Sequence, residues 1–290
     1  MSMYAAHLVS MLSIYVVLAA SLNLVAGYGG MLSAAHVVLF GVGAYALACL
    51  TSILGWPFLI ALPISIVAAG SLAFVVGSLC VRLSGDFFLL ATLSVHVLLQ
   101  AVFANWIPVT GGPYGIGGIA SPSAFGWSAD SSLEKAFFTA AAAGGSLAIL
   151  GRLLRSPFVR SLQAIRDNAV AAGAVGKDPL RFRRRSFMIA GAFAGLAGAL
   201  YASNIGYIDP HAFALDEFVF LLAVVVVGGA GDARGPVVGT LVLFLMPEGL
   251  RLLPITAAAA ANARQVLFGL LLVLAMRVRP QGLVGRYGFN

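Results

Sequence analysis

Arg152–Arg185, RLLRSPFVRSLQAIRDNAVAAGAVGKDPLRFRRR, decides how the rest of the chain is read. It holds nine of the 17 Lys and Arg residues in a 290-residue chain that is 61% hydrophobic and 9% charged. Soluble domains carry about 25% charged residues, so this composition cannot supply a water-facing surface. A short basic segment between long apolar runs marks a cytoplasmic loop of a membrane protein, because Lys/Arg excess in short loops sets orientation.

Working outward, no charged side chain precedes Arg82, an apolar length well beyond the roughly 20 residues one span requires. Apolar windows predict spans at 5–26, 32–51, 57–81, 86–107, 134–151, 186–205, 216–229, 236–253 and 263–278. Of these, 134–151 and 216–229 are short for a full crossing and read as tilted spans or half-helices. Placing 152–185 in the cytoplasm puts Arg82, Arg234, Arg277, Arg279 and Arg286 there too. Lys135, Arg251 and Arg264 fall outside, so 14 basic residues are in and 3 are out. The N-terminus is then outside and the C-terminus cytoplasmic. MSMYAAH lacks a basic n-region, so the expectation is an uncleaved N-terminus. Trp56, Trp106 and Trp127 map to the outer boundary, as interfacial aromatics do. Segment 108–133 is rich in Gly, Pro and Ser and reads as an ordered cluster of turns. Its glycines lack a following Lys-Ser/Thr, which excludes a nucleotide-phosphate loop. There is no linker, so 1–290 reads as one transmembrane domain: an all-α polytopic bundle of eight or nine segments, some broken or re-entrant.

Within the basic segment, Ser156-Pro157 suits a helix start. Apolar residues recur at Phe158, Leu162, Ile165, Ala169 and Ala172, while Arg160, Gln163, Arg166, Asp167 and Asn168 lie mostly elsewhere. Gly173 and Gly176 end the pattern. The period predicts one amphipathic helix over 158–176, lying at the membrane surface. It is either a lipid-facing interfacial helix or a docking helix whose Ala169, Ala171, Ala172 and Gly173 let a partner backbone approach.

The stretch Ser156-Pro157-Phe158 through Ala164-Ile165-Arg166-Asp167-Asn168 to Ala171-Ala172-Gly173-Ala174-Val175-Gly176 resembles the LivM-type permeases of the branched-chain amino-acid ABC importer family. The same resemblance runs through Leu22–Gly30, Leu32-Ser33, His36, Phe40–Tyr45, Thr110-Gly111-Gly112, Ala194–Ala202, Gly228-Gly229-x-Gly231 with Gly235-Pro236, and Arg279-Pro280-x-Gly282-Leu283. Each motif is weak alone; together they span nearly the whole chain in family order. The general permease motif starts with Glu where Val170 stands here. Its distal Ile-x-Leu-Pro is absent, with Ser186, Met188 and Ile189 at those positions.

The resemblance implies a permease subunit that pairs with a related LivH-type permease, two cytoplasmic ATPases and an extracytoplasmic substrate-binding protein. It implies Ala164, Ile165, Arg166, Asp167, Asn168, Ala171, Ala172 and Gly176 as the ATPase-coupling residues. ATP-Mg belongs to the partner subunits, and no cofactor is expected in this chain. Branched-chain or other hydrophobic amino acids are the implied cargo, in the cytoplasmic (inner) membrane; importers of urea, short amides or aromatic acids share the signature. A secondary transporter driven by an ion gradient is the competing class. It needs ionisable groups inside the spans, where the sequence places His36 and His96.

For the translocation path the candidates are Ser33, His36, Tyr45, Gly228, Gly229 and Gly231. His36 is either hydrogen-bonded between helices or a lining residue. Gly27–Gly30 and Gly228–Gly235 read equally as helix breaks that expose backbone to cargo or as tight packing faces. His96 reads as a packed core residue. Arg82 with Asp86, Asp232 with Arg234 and Glu248 with Arg251 read as local ion pairs. Asp209, His211, Asp216 and Glu217 lack compact ligand spacing and suit a solvated loop or a receptor-facing surface. Cys49 and Cys80 fall in apolar runs as packed small hydrophobes, without metal-ligand spacing. No catalytic constellation is present; the acid–base residue types are scattered over opposite membrane sides.

Overall fold

The computed structural model describes residues 2–83, 85–124, 127–129 and 131–250, with Val266, Gly269, Leu270, Arg277 and residues 282–285. Among the described residues, six helical runs are long and apolar enough to cross a membrane: Met3–Tyr28, His36–Ile53, Phe58–Cys80, Asp86–Asn105, Ser132–Leu154 and Pro179–Ile205. In chain order the α-helices are α1 (Ser2–Asn23), α2 (His36–Ala48), α3 (Phe58–Cys80), α4 (Asp86–Asn105), α5 (Ile107–Thr110), α6 (Ser132–Leu154), α7 (Pro157–Asp167), α8 (Ala169–Ala174), α9 (Pro179–Ile205), α10 (Leu215–Gly228) and α11 (Gly235–Leu250). Helices α1 and α2 each end in a π turn, Leu24–Tyr28 and Cys49–Ile53.

Four expectations need correcting. The predicted short span 134–151 is a 23-residue helix, started by a capping box in which Ser131 Oγ accepts from the Glu134 N–H and Glu134 accepts from the Ser131 N–H. The predicted single helix 158–176 is two helices, α7 and α8, broken at Asn168 (φ −155°, ψ 100°). Asn favours caps because its side chain competes for backbone groups; here its Oδ1 accepts from the Ala171 N–H at 2.9 Å and starts the new helix. Among the described residues, Arg82 does not pair with Asp86. Gly85 takes φ +58°, so the two sit on either side of a turn and never share a helix face. Likewise Asp232 accepts from the backbone N–H of Arg234. The predicted span 263–278 (apart from its four described residues), the Glu248–Arg251 pair, Arg264, Arg279 and Arg286 lie outside the described residues and side chains.

α1, α2 and α9 form a buried centre, while α3, α4 and α6 carry most of their apolar side chains on the outside. Val67 and Leu79 on α3, Phe87 and Leu98 on α4, and Phe137 and Ile149 on α6 are exposed, as lipid-facing residues are. The centre packs through glycine. A Cβ on Gly43 would strike the Gly195 backbone, one on Gly198 the Phe40 carbonyl, and one on Gly191 the Ala73 methyl. Helices of apolar residues gain nothing from leaving water once inside lipid, so close van der Waals approach over small residues holds them together.

Residues 29–35, between the π turn and α2, are non-helical and largely buried. Buried irregular backbone must find partners inside the protein, and α4 supplies them. Thr92 Oγ1 accepts from the Ala34 N–H at 3.2 Å, and His96 Nδ1 donates to the Ala34 carbonyl at 3.1 Å. The predicted core role of His96 is thereby given a specific task.

The described residues of segment 108–133 form the expected cluster of turns. It contains the end of α5, a 3-10 turn (Gly112–Tyr114), β1 (Ile116–Gly117), β2 (Ser123–Ala124) and β3 (Trp127–Ser128). β2 pairs with β3, and β1 pairs antiparallel with β4 (Tyr207–Ile208), which directly follows α9. α10, at 14 residues, is about 21 Å long, short of a hydrocarbon core of about 30 Å.

Candidate coupling site and translocation path

α7 turns Val159, Leu162 and Ile165 inward against the ends of α6 and α9 and the π turn of α1. Phe158 stacks on Phe182 of α9 with ring centroids 5.4 Å apart. The amphipathic period therefore seats α7 on the protein's own helix ends. α9 begins where Asp178 caps it, accepting from the Leu180 and Arg181 N–H groups. Arg181–Arg185 thus stand in its first turns.

The predicted coupling residues divide into two groups. Ile165 and Ala172 are buried. Arg166, with a side chain 10% exposed, also turns inward: Nη1 donates to the Gly27 carbonyl at 2.7 Å while Nε and Nη2 hold Asp167 Oδ1 at 3.0 Å. Ala164, Asp167, Asn168, Ala171 and Gly176 are exposed. α8 closes in a reversal in which Gly176 takes φ +80° and the Lys177 N–H bonds the Ala172 carbonyl at 3.0 Å. Two valines project here, Val170 on α8 at 85% and Val175 just past its end at 75% exposure. Val170 occupies the position where the general permease motif has Glu, so the contact offered there is apolar.

A second cluster adjoins this one. Asn23, 1% exposed, uses its whole amide on the turn after α10: Oδ1 accepts from the Gly231 N–H at 2.9 Å and Nδ2 donates to the Asp232 carbonyl at 2.8 Å. A Cβ on Gly27 would strike both Asn23 Oδ1 and the Gly231 nitrogen. Gly229 (φ +115°) packs on Gly282 and Gly285, and the Leu283 and Val284 N–H groups bond the Val227 and Gly228 carbonyls at 2.9 and 3.1 Å. Asn23 falls within the stretch Leu22–Gly30 that carries the resemblance, and an uncharged amide inside an apolar run is costly unless both its groups are satisfied.

The six path candidates do not converge. Gly228, Gly229 and Gly231 belong to the turn just described: Gly229 and Gly231 reverse the chain at positive φ, and Gly228 packs against Gly235. Ser33 and His36 lie at the irregular segment before α2. Ser21 Oγ donates to the Leu18 carbonyl at 2.7 Å, so the 2.8 Å contact with His36 Nε2 is one in which the imidazole donates. Tyr45 stands further along α2, against Phe103 (4.6 Å) and Phe213 (5.7 Å). Ser33, His36 and Tyr45 are all buried within this single chain. Two apolar grooves open on the outer faces: one of about 1040 Å³ along α4, lined by Leu93, Val97 and Trp106, and one of about 390 Å³ over Gly145, Ser146 and Phe193. Neither contains a path candidate. Asp209 caps the turn Pro210–Phe213, accepting from the Ala212 N–H at 3.1 Å. Among the described residues no group of three or more His, Cys, Asp or Glu is placed to hold a metal.

A family model described as "Branched-chain amino acid transport system / permease component" matches residues 4–276. The high-affinity branched-chain amino acid transport system permease protein LivM of Escherichia coli is 31% identical, over 93% of this chain and 68% of its own length. LivM of Salmonella typhimurium is 30% identical over 95% of this chain and 68% of its own. The probable branched-chain amino acid transport permease protein LivM of Methanocaldococcus jannaschii is 25% identical over 88% and 80%. No solved structure matches the chain significantly.

Proposed function

The chain belongs to the family of branched-chain amino acid transport system permease components, and on that premise we propose that it is the membrane-spanning permease subunit of an ABC importer for branched-chain or other hydrophobic amino acids. It acts with a second, LivH-type permease, two cytoplasmic ATPases that bind ATP-Mg, and an extracytoplasmic binding protein. It lies in the inner membrane with its N-terminus outside, its C-terminus in the cytoplasm and eight or nine membrane segments. The basic segment holding α7 and α8 is the coupling element. ATP-driven closure of the ATPases pushes on α8, and packed helices with two arrangements convert the push into alternate access.

The observation that carries this reading is the exposed surface at α8, in the middle of the basic segment. Val170, Ala171, Gly173 and Val175 are exposed among arginines on a loop that Lys/Arg bias places in the cytoplasm. A small-residue surface flanked by projecting valines suits a concave protein partner. Cargo specificity sits largely in the binding protein. The residues assigned to the path on this reading are Ser33 and His36 at the start of α2, Tyr45 further along it, and Gly228, Gly229 and Gly231.

The test is co-purification of the tagged chain from native membranes, then uptake of labelled leucine by the reconstituted complex. Two ATPases and a second permease, with uptake that requires ATP and the binding protein, are expected. A chain recovered alone or as a homo-oligomer, with uptake collapsed by ionophores and indifferent to ATP, overturns the proposal in favour of a gradient-driven transporter.

A further inference from the structure

We infer that Asn23 is the positioning residue through which movement of α7 reaches the 229–234 turn and the α10–α11 hairpin. The inference rests on the coupling role proposed above for the basic segment. Its basis is an unbroken series of polar and backbone contacts.

The series starts at Arg166. Its guanidinium grips the Gly27 carbonyl at 2.7 Å, and its stem lies so close to Gly30 that a Cβ there would come within 2.6 Å of Arg166 Cγ. Displacing α7 therefore displaces the end of the α1 π turn. One helical turn back, Asn23 holds two successive backbone groups of a segment more than 200 residues away, Gly231 N–H and Asp232 C=O. The contact is bidentate, and Gly27 packs against the same Gly231 nitrogen. The π turn and the 229–234 turn thus move as one body. That turn reverses the chain through positive-φ glycines at 229 and 231, and it joins two helices that pack on α1. Movement carried to the turn by Asn23 is therefore carried to α10 and α11.

Spatial contiguity alone is a weak warrant for coupling, so the test measures coupling itself. The complete complex, with ATPases, second permease and binding protein, is reconstituted in vesicles, and leucine imported per ATP hydrolysed is measured. Asn23→Ala is expected to lower that ratio roughly tenfold, with complex yield and basal hydrolysis within about twofold of the wild type. Asn23→Ser keeps an acceptor for the Gly231 N–H and falls between. Arg166→Gln lowers the ratio in the same direction, and the double variant is no worse than the weaker single one, because both residues serve one path.

A merely structural role predicts the opposite pattern: import, hydrolysis and complex yield fall together at constant ratio, which overturns the inference. So do multiplicative losses in the double variant. Should Asn23→Ala not accumulate, Asn23→Ser and Arg166→Gln carry the same comparison. Wild-type uptake without ATP sinks the importer reading itself, whereas ATP-driven wild-type uptake with an unchanged ratio in Asn23→Ala sinks this inference alone.

Discussion

Replacing Gly198 by Ala is the most direct test of how the centre is held. The added Cβ meets the Phe40 carbonyl oxygen, with Phe40 C and Ala44 N each at 2.9 Å. All three atoms are backbone, so no rotamer change makes room. Restoring contacts of about 3.4 Å means parting α2 and α9 by at least roughly 0.5 Å, and more at the oxygen. Overpacking of this kind costs about 1–3 kcal/mol, and a rigid backbone neighbour puts the value at the upper end. Alanine recovers about 1 kcal/mol of helix propensity, leaving a net loss of about 2 kcal/mol. With roughly 2–4 °C lost per kcal/mol in a large domain, the melting temperature falls by about 4–8 °C. Gly144→Ala is the control, since nothing lies within 4 Å of a Cβ there; it retains propensity gain without clash and melts at or slightly above the wild type. Thermal unfolding in detergent, followed by size-exclusion chromatography of the surviving fraction, reads both. Equal melting of Gly198→Ala and wild type refutes the close-packed crossing.

Further outcomes follow from other contacts. Thr92→Val strands the Ala34 N–H in the interior and lowers stability by about 1–3 kcal/mol, whereas Thr92→Ser keeps the hydroxyl and restores most of it; the same melting assay separates them. Val170→Asp, at an 85% exposed position, leaves stability within about 0.5 kcal/mol and reduces ATPase co-purification with the chain; unchanged recovery of the ATPases counts against the docking surface. After Cys49 and Cys80 are replaced by alanine, Lys177→Cys reacts with an impermeant maleimide only in inverted vesicles, and Tyr114→Cys only in intact cells; labelling of both from one side refutes the topology.

The long spans were legible because apolar length is a direct signal, and the pattern over 57–81 and 86–107 reappears in α3 and α4 within two residues at each end. α6 was under-read at both ends: a capping box at Ser131 starts it two residues before the predicted window, and it runs on through Arg152–Leu154, which the charge pattern assigns to the basic segment. The break at Asn168 was hidden because the apolar positions of α8 continue the period of α7 across it. Periodicity reports faces, whereas a cap is a local event. Arg166 was identified as a coupling residue, yet its direction was not, since one sequence cannot tell a guanidinium that meets a partner from one that meets the chain's own Gly27. Thr92 and His96 were illegible for a related reason: their partner, Ala34, lies about 60 residues away and offers backbone, which leaves no trace in residue type.

The glycine crossing also has a consequence for synthesis. α2 and α3 are complete by residue 80, but the helix that receives their glycine and alanine faces ends at residue 205. At about 5–20 residues per second, the two wait in lipid for roughly 6–25 s before α9 arrives. Within that interval the buried backbone of residues 29–35 gains its partners on α4 only once Thr92 and His96 have been made. The order of emergence therefore makes the early helices clients of the insertion machinery, and defects in α9 should first be visible as turnover of newly made chains rather than as loss of transport by mature ones.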